Sequence, residues 1–226
     1  MGSIRRNLRR IFVVAVGLAG FALAPVQAAC VDNVVLVHGN TGTPSQFDNT
    51  YVELRARGYQ PSQIFRPSWG SKTCAACNNH EGSEETPVEN AIIDAIATSC
   101  TGRIDVIGHS MGATLAAWVI HDNAARDCGD TFVGIAGAFR GLWSCGTYPF
   151  NVATSTCGYR GLSVGSPLVT DLRGRSFGMR MYSIKSWTEQ VVCATGYCTV
   201  GGVHSSQIAG ENATYSFATG HFGLLT

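Results

Sequence analysis

A serine stands between two glycines in the segment Gly108-His109-Ser110-Met111-Gly112, a spacing that suits nucleophilic chemistry. Residues 103–107 predict a buried strand before it, and residues 113–125 predict a helix after it. A serine on such a sharp turn presents its hydroxyl, and the flanking glycines let strand and helix approach without a Cβ between them. The segment therefore predicts Ser110 as a nucleophile for acyl transfer.

A serine nucleophile needs a general base, which in proteins with this kind of turn follows the serine in the chain. Three histidines do so: His121, His204 and His221. His121 lies on the helix that begins at the serine, about 15 Å away by helix rise, and cannot reach. His221 stands between Gly220 and Gly223 ahead of an apolar run, which would dock a loop and leave the imidazole free. We therefore prefer His221 and keep His204 as the alternative.

The base in turn needs a carboxylate to orient it, which should follow a strand and precede the histidine. Residues 179–185 predict a strand, and Glu189 follows it closely. Asp171, in an irregular segment before that strand, and Glu211 are the rivals. Glu189 is the preferred acid.

Tetrahedral oxyanions need preorganised donors. The amide of Met111, at the start of the predicted helix, can supply one. The Asn40 amide is our choice for the second, because Asn40 follows a predicted strand at 33–37 that would lie beside the serine in a parallel sheet. His38 is interpreted as a structural histidine.

The elements that must position these residues alternate between strands and helices. Strands are predicted at 33–37, 63–66, 103–107, 131–136 and 179–185, and helices at 46–57, 84–99 and 113–125. Residues 137–178 and the last forty residues predict no regular structure. The order indicates an α/β fold with a mostly parallel central sheet covered by helices on both faces, in a single domain.

The amino terminus has the layout of an export signal. Four arginines lie in Met1–Arg10, and no charge occurs from Ile11 through Ala29. We expect cleavage after Ala28, which divides the chain into a signal peptide at 1–28 and a catalytic domain at 29–226. An uncleaved membrane anchor is the alternative.

All nine cysteines lie at or after Cys30, and this density favours an oxidising compartment. Local spacing suggests four disulfides and leaves Cys30 over, although sequence alone cannot choose among the pairings. The suggested pairs are Cys74 with Cys77, Cys145 with Cys157, Cys193 with Cys198, and Cys100 with Cys128. Charged residues make up only 14% of the chain, which argues against a nucleic-acid partner.

Five segments are informative when they are taken together: Val37-His38-Gly39-Asn40, Leu54-Arg55-Ala56-Arg57-Gly58-Tyr59, Ser68-Trp69-Gly70, the residues 105–112 around the serine, and the residues 131–138. Together they resemble the bacterial and nematode class 2 triacylglycerol lipases, neighbours of the small lidless Bacillus lipases. This resemblance implies the α/β-hydrolase fold, the catalytic residues Ser110, Glu189 and His221, and no metal or organic cofactor. Glu189 departs from the aspartate of these relatives.

The function expected from these residues is a secreted carboxylic ester hydrolase, a lipase or esterase, acting as a monomer on ester or lipid substrates without stable membrane insertion. A polyester depolymerase would use the same triad. Aromatics expected to be exposed in the loops could dock either a polymer or an acyl chain, namely Trp69, Trp143, Tyr148 and Tyr159. A non-catalytic binding protein would be expected to lack a triad residue, and none is missing. A redox or zinc motif at residues 74–77 is a further alternative, but it lacks a matching second ligand pair.

Overall fold

The computed structural model describes residues 30–226, so the predicted signal peptide at 1–28 lies outside the described residues. The helices of the described part are α1 (Asp48–Ala56), α2 (Thr86–Thr98), α3 (Met111–Asp122) and α4 (Pro167–Leu172). Its strands are β1 (Asn33–Val37), β2 (Ile64–Phe65), β3 (Ile104–His109), β4 (Gly129–Ile135), β5 (Leu142–Thr147), β6 (Ser163–Val164), β7 (Arg180–Lys185), β8 (Thr199–Val200), β9 (Val203–His204) and β10 (Ala213–Ser216).

Six strands form the central sheet, in the order β10-β7-β4-β3-β1-β2. Every neighbouring pair in it is parallel. The predicted parallel sheet is therefore confirmed. Because parallel strands point the same way, the loops after β1, β3, β7 and β10 all leave from one edge of the sheet, and these loops carry the candidate catalytic residues.

Both faces of the sheet are covered, as predicted, because successive side chains of each strand point to opposite sides. Val35 and Val37 of β1 enter the larger core, which includes side chains of α2, α3 and α4. Val34 and Leu36 enter a smaller core on the other face, which includes side chains of α1 and the 3-10 turn before it. The β1 run is buried along its whole length, as expected for a strand covered on both faces.

Some elements depart from the sequence-based expectation. The segment 137–178 contains the short pair β5 and β6 and the helix α4. The last forty residues contribute β10, an edge strand that pairs with β7. The residues of β10 are half-buried or exposed, so they lack the apolar run that makes a strand recognisable.

Four disulfides occur in the described residues, and three of them were predicted. The pairing of Cys100 with Cys128 is wrong, because Cys100 is bonded to Cys30 and Cys128 is a free thiol. The sheet explains the outcome. Asn33 pairs with Ile104, so the residues just before β1 and β3 lie side by side and bring Cys30 to Cys100.

None of the helices in residues 30–226 combines the length and apolar character needed to cross a bilayer.

Candidate active site

Ser110 occupies the sharp turn between β3 and α3, with φ 55° and ψ −131°. A non-glycine residue with positive φ is strained and persists only where its surroundings hold it. Here the Ser110 amide donates to the carbonyl of Ile135 in the neighbouring strand, at 2.8 Å. The serine therefore stands at the carboxyl end of the central strand.

The two glycines of the turn are needed for close approach. A Cβ at Gly108 would lie 2.4 Å from the Ala113 Cα, and one at Gly112 would lie 2.0 Å from the His38 carbonyl oxygen. Each contact is too short for real atoms. Any side chain at these positions would push α3 away from the sheet and displace Ser110.

Glu189 and His221 lie together in the interior, each 2% exposed. The Glu189 Oε2 atom is 2.8 Å from His221 Nδ1. The amides of Val191 and Val192 also donate to this carboxylate, at 2.7 and 2.6 Å. Burial by itself would raise the pKa of Glu189, but the hydrogen bonds and the charge of His221 outweigh it and lower the pKa.

This hydrogen-bonded contact decides which imidazole nitrogen is available. A carboxylate only accepts hydrogen bonds, so the proton of His221 resides on Nδ1, which faces Glu189. The opposite nitrogen, Nε2, is left to accept a proton. This is the orientation that a general base requires.

His221 is also held through its backbone. Its amide donates to the Gln190 Oε1 atom at 3.3 Å. Its carbonyl lies 3.1 Å from His109 Nε2, and the rings of the two histidines are 4.7 Å apart between centroids. Burial, reinforced by the positive charge that His221 can carry, lowers the pKa of His109 to about 4. His109 is therefore a neutral donor to the backbone of His221.

Ser110 and His221 share one open cavity of about 230 Å³. No hydrogen bond joins their side chains among the described residues, and proton transfer from Ser110 to His221 requires that contact to form. The cavity is lined by Gly39, Asn40, Thr41, Ala75, His109, Ser110, Val191, His221 and Phe222.

The two candidate oxyanion donors are placed by the loop after β1 and by the start of α3. Asn40 is one of the residues that line the cavity, and Met111 follows Ser110 as the first residue of α3. The amide hydrogens of both residues form no hydrogen bond with another described residue. Two uncommitted amides beside a serine hydroxyl are suited to hold a negative oxygen.

Asn40 is fixed through its side chain. Its Nδ2 donates to the Ala75 carbonyl at 3.0 Å, and its Oδ1 accepts from Asn78 Nδ2 at 2.6 Å. Asn78 is fully buried, and its Oδ1 accepts from the Ser71 amide at 2.7 Å. The loop that carries Asn40 is thus joined to the turn stapled by Cys74 and Cys77.

His38 is a structural histidine in this arrangement. Its Nε2 accepts from the Trp69 amide at 3.2 Å, and the Trp69 indole donates to the His38 carbonyl at 2.9 Å. Burial lowers the pKa of His38 to about 4, so the ring is neutral. The expectation of an exposed Trp69 is wrong, since the ring is 2% exposed and stacks on His38, whereas Trp143 and Tyr159 are exposed.

The rival acids and bases lie in other contacts. Asp171 is on α4 near Arg160, and Glu211 accepts from the hydroxyl of Ser183. His204 is buried with its Nε2 3.1 Å from the Ser186 carbonyl. His121 is at the far end of α3 from Ser110. None of them lines the cavity that holds Ser110.

The Cys74–Cys77 pair has no free thiolate, because the two sulfurs are bonded to each other. The nearby His80 is buried with its nitrogens 2.9 Å from the Arg160 carbonyl and 2.8 Å from the Thr114 hydroxyl. The zinc interpretation of this segment therefore finds no support in the geometry. The redox interpretation lacks the strand-to-helix setting of a thioredoxin site, because Cys74 precedes a three-residue 3-10 turn.

Several residues of the site carried no signal in the sequence. Gln190 and Phe222 could have been suspected because they adjoin the acid and the base. Asn78 could not, since it lies far from Asn40 in the chain and meets it only through folding. His109 carried no signal apart from its place next to the serine.

Comparison with known proteins places this geometry in context. The structure resembles lipase B of Aspergillus fumigatus, with TM-score 0.61 and 17% identity over 86% of this chain and 49% of that one, so this chain spans about half its length. It also resembles a pyrethroid hydrolase from Sphingobium faniae JZ-2, with TM-score 0.52 and 12% identity over 86% and 91% of the two chains. A Listeria innocua gene product gives TM-score 0.52 and 14% identity over 86% and 88%.

The parallel sheet, the strained serine turn and these structural relatives define the molecule as an α/β-hydrolase. A family model described as "Lipase (class 2)" matches residues 32–221. The chain therefore belongs to the class 2 lipase family. A comparison with curated protein sequences finds no match.

Proposed function

We propose that the protein is an exported triacylglycerol lipase or esterase that works through a Ser110, His221 and Glu189 triad and an acyl-enzyme. The observation that carries the proposal is the buried Glu189–His221 contact of 2.8 Å beside a cavity that also holds Ser110. Nucleophile, base and orienting acid come from three separate loops at one sheet edge. A purely structural ion pair would not need a strained serine beside it.

The chemistry follows from the positions of the protons. His221 Nε2 accepts the Ser110 proton as the hydroxyl oxygen attacks the ester carbonyl, and Glu189 stabilises the resulting imidazolium. The Asn40 and Met111 amides hold the negative oxygen of the tetrahedral intermediate. The imidazolium then protonates the departing alcohol, which leaves Ser110 acylated. Water attacks the acyl-enzyme by the same proton transfers in reverse, which releases the acid.

Substitution of Ser110 by alanine tests the assignment directly. Hydrolysis of p-nitrophenyl butyrate should fall by about 10³-fold or more, while the unfolding transition stays in place, because only the nucleophile is removed. A matched control is Ser99→Ala, a serine at the end of α2, which should retain full activity. An active Ser110→Ala protein would reject the proposal.

Export is supported by the four disulfides and by the signal-like amino terminus. The amino-terminal sequence of protein recovered from culture medium or periplasm should begin at Ala29. Recovery of the full chain from the membrane fraction would favour the uncleaved anchor.

A polyester depolymerase is the second candidate. The exposed rings of Trp143 and Tyr159 favour it, because both could lie against a polymer chain. Rates of product release from a tributyrin emulsion and from a polyester film, measured with the same preparation, separate the two functions.

A further inference from the structure

His109 lies beside both the nucleophile and the base, yet the proposed reaction gives it no step. It is the last residue of the interior strand β3 and directly precedes Ser110. Its side chain is fully buried, and its ring lies 4.7 Å from the His221 ring and 5.9 Å from the Phe222 ring between centroids. A buried polar ring is costly unless it forms hydrogen bonds, so the partners of His109 indicate its role.

The His221 carbonyl decides the tautomer of this ring. The carbonyl oxygen lies 3.1 Å from His109 Nε2 and can only accept, so the proton of His109 resides on Nε2. Burial lowers the pKa of His109 to about 4, so this donor carries no charge. An uncharged donor suits the place, because a cation would oppose the positive charge that His221 gains when it takes the serine proton.

The opposite nitrogen of the ring, Nδ1, lies against the loop after β1. Nδ1 is buried and has no hydrogen-bond partner among residues 30–226. A Cβ at Gly39, the residue before Asn40, would lie 2.9 Å from Nδ1, which is too close for real atoms. The His109 ring therefore lies between the loop that carries the oxyanion donor Asn40 and the loop that carries His221.

The contact with His109 differs from the second contact of the His221 backbone. The His221 amide donates to the Gln190 Oε1 atom at 3.3 Å, but Gln190 is exposed to solvent. Water can replace an exposed hydrogen bond, whereas a buried carbonyl that loses its donor finds no substitute. The buried contact also joins the base to the residue next to the nucleophile.

We propose that His109 is a positioning residue, which fixes the base His221 relative to the nucleophile and to the loop that carries Asn40. The inference rests on the proposed function, because it assigns a role within that triad. Without the Nε2 donor, the loop that carries His221 should move away from Ser110 while the rest of the cavity is kept. A displacement of about 1 Å at a reacting group can cost about 10²-fold in rate.

The test compares His109→Leu with His109→Gln in the whole protein. Leucine is apolar and has no donor, whereas the glutamine amide can place an N–H near the position of Nε2. In hydrolysis of dissolved p-nitrophenyl butyrate, His109→Leu should lower kcat by about 10- to 100-fold with little change in KM, because the base is displaced and the substrate contacts remain. His109→Gln should restore kcat to within about threefold of the wild-type value, because the donor is present again.

Amide hydrogen exchange gives a second measurement. Exchange in residues 217–224 should be faster in His109→Leu than in His109→Gln, while exchange in β3 stays the same in both. A role in packing alone would lower the melting temperature of the variants without separating their kcat values. If His109→Leu does not fold, His109→Asn takes its place, because the shorter amide cannot reach the His221 carbonyl.

His121→Leu is the matched control, since it makes the same change at the far end of α3, outside the cavity, and should keep the wild-type kcat. Equal kcat values in His109→Gln and in the variant without the donor would overturn the proposal, as would a change confined to KM. A fully active His109→Leu protein beside an inactive Ser110→Ala protein would reject the role of His109 and leave the triad in place. An active Ser110→Ala protein would reject the triad itself.

Discussion

Asn78 offers a sharp test of how the oxyanion loop is held. It lies outside the catalytic cavity but is fully buried, and its Nδ2 donates to Asn40 at 2.6 Å and to the Ser71 carbonyl at 3.0 Å. The Ser71 amide is a donor and faces Oδ1, which fixes the orientation of the Asn78 amide. Asn78→Asp keeps the size and this acceptor but replaces the donating nitrogen with an oxygen.

The expected magnitudes follow from these contacts. Two half-buried oxygens, on Asn40 and Ser71, lose their donor and face a carboxylate. Each unpaired buried group costs about 1–3 kcal/mol, so the free energy of unfolding should fall by about 2–5 kcal/mol. Removal of a whole oxyanion donor costs about 10²–10³ in kcat. In Asn78→Asp the backbone amide of Asn40 is displaced but still present, so kcat should fall by less, about 10- to 100-fold, with little change in KM.

The assay is steady-state hydrolysis of p-nitrophenyl butyrate below the temperature at which the variant unfolds. Asn79→Asp is the matched control, because this neighbour makes only an exposed contact with Glu81. The Asn40→Ala variant keeps the backbone amide of residue 40 but lacks the side chain that Asn78 contacts. In this variant, Asn78→Asp should have little further effect on kcat. A folded Asn78→Asp enzyme with unchanged kcat would refute this reasoning, as would additive losses in the double variant.

Three further outcomes are expected. Glu189→Gln should reduce kcat for p-nitrophenyl butyrate by about 10²–10⁴-fold with little change in KM, because the glutamine side chain cannot stabilise an imidazolium. A near-normal kcat would exclude Glu189 as the orienting acid. Cys30→Ser should lower the free energy of unfolding in urea by about 2–4 kcal/mol, because the disulfide of Cys30 joins residues that are 70 positions apart. Cys128→Ser should leave the free energy of unfolding unchanged, and a larger loss with Cys128→Ser than with Cys30→Ser would contradict the pairing. Burial lowers the pKa of His80 and His109 to about 4, so the unfolded chain binds protons that the native state does not. The free energy of unfolding should therefore decline as pH falls from about 6.5 towards 4, by up to about 1.4 kcal/mol per pH unit for each histidine. His80→Gln should make this decline less steep, and a free energy of unfolding that does not depend on pH would show that these rings are not buried.

The sequence was informative where local pattern and chemistry coincide. The buried run of β1 and the serine turn were predictable, because strand burial and the need for Gly108 and Gly112 both act over a few residues. The edge strand β10 was not, since its side chains enter no core and leave no apolar pattern. Its pairing with β7 depends on contacts that only the folded chain supplies.

Contacts between residues that are far apart in the chain were the other feature that the sequence did not reveal. Local spacing suggested a partner for Cys100, but it left out the parallel pairing of β1 with β3, which brings Cys30 to Cys100. Trp69 was expected to be an exposed aromatic of a loop, yet its ring is buried and stacks on His38. For the orienting acid, the sequence allowed a ranking of Glu189, Asp171 and Glu211 as candidates. It gave no distances between these carboxylates and His221. The 2.8 Å contact with His221 is a property of loops that meet only after the sheet has formed.

The place of β10 at the margin of the sheet has a consequence for inactivation. His221 follows β10, which is held to the rest of the sheet by β7 alone, whereas Ser110 follows a central strand. Peripheral strands open at lower free energy than central ones. Warming should therefore detach the base from the nucleophile while most of the molecule is still native, so that activity fades some degrees before the cooperative melt and returns on cooling.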